Sequence, residues 1–186
     1  MTSKMIGLQL AIATLIWSAS TAWADRNQAI SDRAAYPSAR AAALDLAQKG
    51  NPEAAAAEFL RLSESQIKAE QKNNALFNAA LCWQIAKRPA EAMEAARKIS
   101  SPPFSTACQM ELLARSAKWG ELLTLSASED FKTWPDRLIS NAYLNRAKAH
   151  QAKGDTDAAK ADLILAREST VSTRQKAKIA TLLGSM

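Results

Sequence analysis

Either side of Gly154, apolar and small residues recur at intervals of three and four, with polar residues between them. Upstream, DRLISNAYLNRAKAHQAK places Tyr143 eleven and Ala147 seven positions before the glycine. Downstream, TDAAKADLILARE places Ala159 five, Leu163 nine and Ala166 twelve positions after it. Such spacing puts the apolar set on one face of a helix, and no stretch of the chain alternates with the period of two that a strand requires. Gly154 suits the left-handed residue that ends a helix, and Asp155 and Asp157 suit the cap and first turn of the next. The predicted unit is a tight helix-turn-helix corner.

The same ruler fits elsewhere. Around Gly50, Ala43 lies seven before, Leu46 four before, Ala55 five after, Phe59 nine after and Leu62 twelve after. Around Lys87 the matching positions hold Leu76, Ala80, Trp83, Ala92 and Ile99, and Pro89 stands where a proline starts a helix. The interval from Gly50 to Lys87 is 37 residues and from Lys87 to Gly154 it is 67, room for one further unit. SPPFSTACQMELLARSAKWGELLTLSAS fills it as a degenerate copy, with Met110 and Leu122 at the two small-residue positions, Ser126 for the later aromatic, and Trp119 in the aromatic turn position.

These copies resemble the tetratricopeptide repeat family, whose unit is a helix-turn-helix of about 34 residues. The departures are Lys87 for a turn glycine, and Leu46 and His150 at an aromatic position. The resemblance covers residues 36–166 and implies an all-α fold: a right-handed α-α superhelix, a helical solenoid of about four hairpins with the third degenerate. Residues 25–35 are a ragged lead-in or a short helix. Residues 167–186 carry a capping helix in STRQKAKIATLLGSM, with Ser172 or Thr173 as its cap. Its apolar side is Ala177, Ile179, Ala180, Leu182 and Leu183, and such a helix covers the hydrophobic end that stacked repeats leave open. SESQIKAEQKNN extends the first unit or links it to the second, and Trp134-Pro135 starts the long helix after SEDFKTWPDR.

Composition agrees with an all-α fold: helix-favouring alanine is abundant, while the 186 residues hold only five glycines and six prolines. The first 24 residues read as a signal peptide. Lys4 is their only charge, MIGLQLAIATLIW is an apolar run too short to span a bilayer, and Ala22-Trp23-Ala24 is a small-x-small cleavage pattern. Cleavage after Ala24 would release a secreted or periplasmic protein without stable membrane insertion. Without Lys4, 23 basic residues face 18 acidic ones, a net charge of +5 scattered over helix faces, which argues against a nucleic-acid stripe. An oxidising compartment permits a bridge between Cys82 and Cys108; the alternative is two buried thiols.

The chain offers few parts for catalysis. His150 is the only histidine, and its place four residues before Gly154 is a packing position. No P-loop, dinucleotide fingerprint, G-x-S-x-G or H-E-x-x-H is present, so neither an enzyme, a metal site nor a cofactor is expected. Trp83 and Trp119 read as packing residues, and Trp134 as either a cap on the core or an exposed contact.

What remains is surface. In the family the first helix of each hairpin lines the concave side. Here that row is Arg40, Leu44 and Gln48, then Asn74, Phe77, Asn78, Leu81 and Gln84, then Glu111 and Arg115, and finally Asn141, Asn145 and Lys148. Amides beside Phe77 and Leu81 suit an extended peptide, whose backbone both donates and accepts; the plainer alternative is a solvated polar face. Some family members hold a terminal carboxylate in a clamp of Lys, Asn, Asn, Lys and Arg. Arg40 and Asn78 match two of its positions, but Leu44, Phe104 and Cys108 break it. The reading is therefore an exported adaptor that binds a protein or peptide in its groove. The alternative is a structural or self-associating subunit of an envelope assembly that uses its convex or terminal faces. Partner identity and oligomeric state are open.

Overall fold

The structure is a computed structural model in which residues 28–186 are described. The proposed signal peptide and its cleavage point lie outside the described residues. Among the described residues the protein is all-α and helical repeat-like, and no helix is long and apolar enough to cross a membrane. Helix α1 covers residues 28–48, so 28–35 are its first turns and not a separate lead-in. There follow α2 (Pro52–Glu64), α3 (Ala69–Ile85), α4 (Pro89–Arg97), α5 (Pro102–Arg115) and α6 (Trp119–Ser126). A 3₁₀ turn at Phe131–Thr133 leads to α7 (Asp136–Ala152), α8 (Thr156–Glu168) and α9 (Thr173–Gly184).

Four corners pair α1 with α2, α3 with α4, α5 with α6, and α7 with α8, and all four are built alike. Gly50, Lys87, Ala117 and Gly154 have φ of 83°, 60°, 54° and 82°. The amide of the following residue donates to the carbonyl five positions back: Asn51 to Leu46 (3.0 Å), Arg88 to Trp83 (2.9 Å), Lys118 to Leu113 (2.9 Å) and Asp155 to His150 (3.0 Å). This is the Schellman closure of a helix end, in which one left-handed residue satisfies orphan carbonyls. Glycine adopts it without a steric penalty; Lys87 and Ala117 adopt it against one. Ala117 places the third corner 30 residues after Lys87 and 37 before Gly154, so the third hairpin is the short one. Trp119 accordingly opens α6 and Leu113 takes the position expected of the aromatic, correcting the sequence alignment of this unit.

Crossing positions behave identically in all four hairpins. Ala43 and Ala55, Ala80 and Ala92, Met110 and Leu122, and Ala147 and Ala159 are all buried. Residues nine past each corner (Phe59, Ala96, Ser126 and Leu163) are buried too. Packing then continues from hairpin to hairpin: α2 rests on α3, α4 on α5 and α6 on α7, while α3, α5 and α7 touch in succession. Trp134 is buried on Phe131, with ring centroids 4.7 Å apart, and its indole N–H donates to Glu129, so it caps the core and is no exposed contact.

The last hairpin has a polar pin. Asp162, only 4% exposed, accepts two hydrogen bonds of 2.8 Å from Arg146 across α7 and α8. The Arg146 guanidinium also lies 4.6 Å from the Phe131 ring centroid. His150 sits at the edge of this pair, its Nδ1 3.5 Å from Asp155 and its Nε2 4.0 Å from Asp162. Helix α9 packs on α8 through Ile179, Leu182 and Leu183; Ala177 and Ala180, expected on its apolar side, are exposed. Gln175 secures it by donating to Ser140 and Asn141 of α7, both at 3.1 Å.

Two stability measurements follow from these corners and this pin. Lys87→Gly is expected to raise the unfolding free energy by about 0.5–1 kcal/mol, relief of the left-handed strain exceeding the gain in unfolded-state entropy, while Gly154→Ala lowers it by about 1 kcal/mol. Asp162→Ala strands a largely buried guanidinium and is expected to cost about 3 kcal/mol, against about 1 kcal/mol or less for the exposed pair partner Asp45→Ala. Denaturant titration of each variant checks both.

Candidate functional site

Helical spacing puts Asn74, Phe77, Asn78 and Leu81 on one face of α3 and Arg137, Leu138, Asn141, Asn145 and Lys148 on one face of α7. Helix α5 lies between them and presents Phe104, Ala107 and Glu111. The three faces, closed at one end by α1, enclose two adjoining cavities. The larger, about 530 Å³, is lined by Tyr36 and Arg40 from α1, Gln71, Asn74, Phe77 and Asn78 from α3, Phe104 from α5, and Arg137 and Leu138 from α7. The smaller, about 320 Å³, runs on from Phe77 and Leu138 past Leu81, Ala107, Glu111, Asn141, Ala142, Leu144, Asn145 and Lys148. Both volumes fall within the roughly 300–1,000 Å³ of ordinary ligand sites.

Aromatic walls and cations define the larger cavity. Phe77 and Phe104 meet at 5.3 Å between centroids, tilted by 43°. Tyr36 is buried beside them and its hydroxyl donates to the Gln71 carbonyl at 3.4 Å; burial pushes its phenol pKa up, with Arg40 opposing. Arg137 lies over the Phe104 ring, its Cζ 5.3 Å from the centroid, and pairs with Glu70 at the start of α3. That pair joins the first turns of α3 and α7 across α5. The Arg137 hydrogen bond and charge hold the exposed Glu70 carboxyl below its usual range.

In the smaller cavity Glu111 is already engaged. Its carboxylate accepts from Asn145 Nδ2 at 3.0 Å and from Arg115 Nε at 2.7 Å. Burial pushes the Glu111 pKa up, but these two hydrogen bonds and the charges of Arg115 and Lys148 outweigh it, and the net shift is downward. Lys148, exposed overall, has its pKa lowered by desolvation, with Lys178 and Arg115 adding repulsion and Glu111 opposing.

Of the residues expected along the row, Arg40, Asn74, Phe77 and Asn78 meet in one cavity, and Phe77, Leu81, Glu111, Asn141, Asn145 and Lys148 in the next. Asn145 is 4% exposed and bonded to Glu111, so it positions a neighbour and is not the free contact residue expected of it. Asn78 donates to the Asn74 carbonyl at 2.9 Å and Asn141 accepts from Gln175, which leaves each with unused hydrogen-bonding capacity. Leu44 packs against the core. Gln48 is exposed and lines neither cavity, and Arg115 is held against Glu111. Gln84 donates to Ser116 and borders a separate cavity of about 390 Å³ beside Pro89 and Met93. Gln71 and Arg137 were missed, and Phe104 entered only as a break in the carboxylate clamp. Each lies on the same stripe as a predicted residue, three positions before Asn74, four before Asn141 and seven before Glu111, in first turns that the sequence reading left out of its row.

Cys82 and Cys108 are free, buried thiols; of the two alternatives considered, the unbridged one is present. Burial raises the pKa of both, that of Cys108 to about 12 with the Glu111 charge adding to the effect. Among the described residues no group of three His, Cys, Asp or Glu is placed to hold a metal ion. His150 lines neither groove cavity. No family model, curated protein or solved structure matches the chain.

The lowered pKa of Glu111 carries a pH signature. A carboxylate whose folded pKa lies below its unfolded value, here 4.5, stabilises the fold above that value and loses the contribution as pH falls through the folded pKa. Between about pH 5 and about pH 3, wild type is therefore expected to lose more unfolding free energy than Glu111→Gln. Parallel acid-limb denaturation curves of the two proteins would refute this.

Proposed function

We propose that the chain is a tetratricopeptide-like helical solenoid that acts outside the cytoplasm as a non-enzymatic adaptor, holding an extended segment of a protein partner in the groove over α3, α5 and α7. The observation that carries this reading is the continuity of the two cavities through Phe77 and Leu138. A compact ligand needs one closed pocket, whereas an extended peptide needs a trough with apolar seats and unspent amides along it. Support for the solenoid comes from the four like corners, the matching crossing positions and the succession of α3, α5 and α7. Support for export comes from the pattern of the first 24 residues.

A second reading has its own observation. Val171 is 99% exposed in the α8–α9 link and Ile164 on α8 is also exposed, apolar side chains near one end of the molecule. They favour a structural or self-associating subunit that makes contact through its terminal face.

Selection of random peptides on the folded protein, followed by titration of a selected peptide, separates the two. For the groove, Asn74→Ala combined with Asn78→Ala is expected to weaken binding about tenfold or more with helicity and oligomeric state unchanged, and Val171→Asp to be silent. Unchanged binding in the amide variant, with Val171→Asp dissolving an oligomer, overturns the groove in favour of the terminal face.

A further inference from the structure

The charges along the groove are unevenly spent. Among the described residues, Arg40, Arg137 and Lys148 line it as cations, and Glu111 is the one carboxylate lining either cavity. Glu111 is already taken up by Asn145 and Arg115. Glu70 occupies one side of Arg137, in a pair more than half exposed on both partners. A guanidinium has five donors, so this pairing leaves Arg137 able to bind a second carboxylate, with its Cζ held 5.3 Å from the Phe104 ring centroid. At the other end Lys148 lines the smaller cavity, and the one carboxylate near it there, Glu111, already accepts hydrogen bonds from Asn145 and Arg115.

Granting the groove reading above, the geometry points to an acidic partner segment: an aromatic or large apolar side chain seated against Phe77 and Phe104, a neighbouring side-chain carboxylate on Arg137 and Arg40, and a second carboxylate on Lys148. The spacing follows from α7. Arg137 and Lys148 are eleven positions apart on that helix, about 16 Å along its axis at about 1.5 Å per residue, a distance that about five residues of extended chain cover. The two cavities meet at Phe77 and Leu138, between the two cationic ends, so one segment passing through them presents both carboxylates as side chains.

Four fluorescent octapeptides, acetylated and amidated at their ends, test this by fluorescence anisotropy on the intact protein. The first carries acidic residues at its second and seventh positions, phenylalanine at its third and serine elsewhere; the others replace both acids by glutamine, both acids by lysine, or the phenylalanine by alanine. The first is expected to bind about tenfold more tightly than the glutamine and alanine peptides, to weaken with added salt, and to lose its advantage over the glutamine peptide on Arg40→Gln or Arg137→Gln. Arg40 is exposed, so its variant guards against misfolding, and the peptide changes leave the protein untouched. Equal affinity for the acidic and glutamine peptides, preference for lysine, or no binding of the acidic peptide at about 1 mM overturns the inference. A neutral peptide that binds and is lost on Asn74→Ala with Asn78→Ala would keep the groove while removing its acidic specificity.

Discussion

Two helices in a hairpin approach closely only where their crossing carries little bulk, and the rest of this protein depends on that approach. Distances between helix axes are set by the side chains at the contact. Ala43 with Ala55, Ala80 with Ala92, and Ala147 with Ala159 keep three crossings thin, and all six residues are buried. Such packing is reproducible because a left-handed residue and one amide bond to the carbonyl five positions back end the first helix in the same way each time. Each hairpin therefore presents its first helix in a similar way, so that α3, α5 and α7 can share one trough.

The third hairpin shows how far the rule bends. Met110 and Leu122 fill the crossing with bulk where the others have methyl groups, and both are buried. Its second helix is only eight residues long and its corner residue is Ala117, strained in a left-handed conformation. Here the shortened unit keeps the corner and gives up the thin contact. After the short helix, Phe131 of the 3₁₀ turn and Trp134 are buried against each other, and the Tyr143 ring of α7 lies 5.0 Å from Phe131.

Polar groups inside the fold serve mostly to fix geometry. Asp162 with Arg146 joins α7 to α8, Asn145 with Arg115 orients Glu111, and Gln175 ties α9 to α7. No side-chain polar atom among the buried, described residues lacks a partner, in keeping with the cost of leaving one unsatisfied. In the proposed groove, the groups left with free bonding capacity are the second face of Arg137, the ammonium of Lys148, Arg40, and the unspent amide atoms of Asn78 and Asn141.

Periodicity alone determined the helices, the corners at Gly50, Lys87 and Gly154, and the small residues at three crossings, because these depend on spacings of four to twelve residues within one hairpin. It also placed most of the groove row, since a helix face is a local property. Tertiary structure decided what depends on neighbours distant in sequence. Asn145 looked like a free amide until Glu111, 34 residues away, was seen to accept its hydrogen bond. Asp162 is buried against Arg146, 16 residues away on the facing helix, a pairing that its spacing within α8 does not show. Arg137 joined the groove only when α7 was found beside Glu70 and Phe104, because its spacing within α7 says nothing about which helices stand opposite. The third corner belongs to the same class: alanine has no intrinsic preference for a left-handed turn, and Ala117 adopts one only in the folded chain, between α5 and α6.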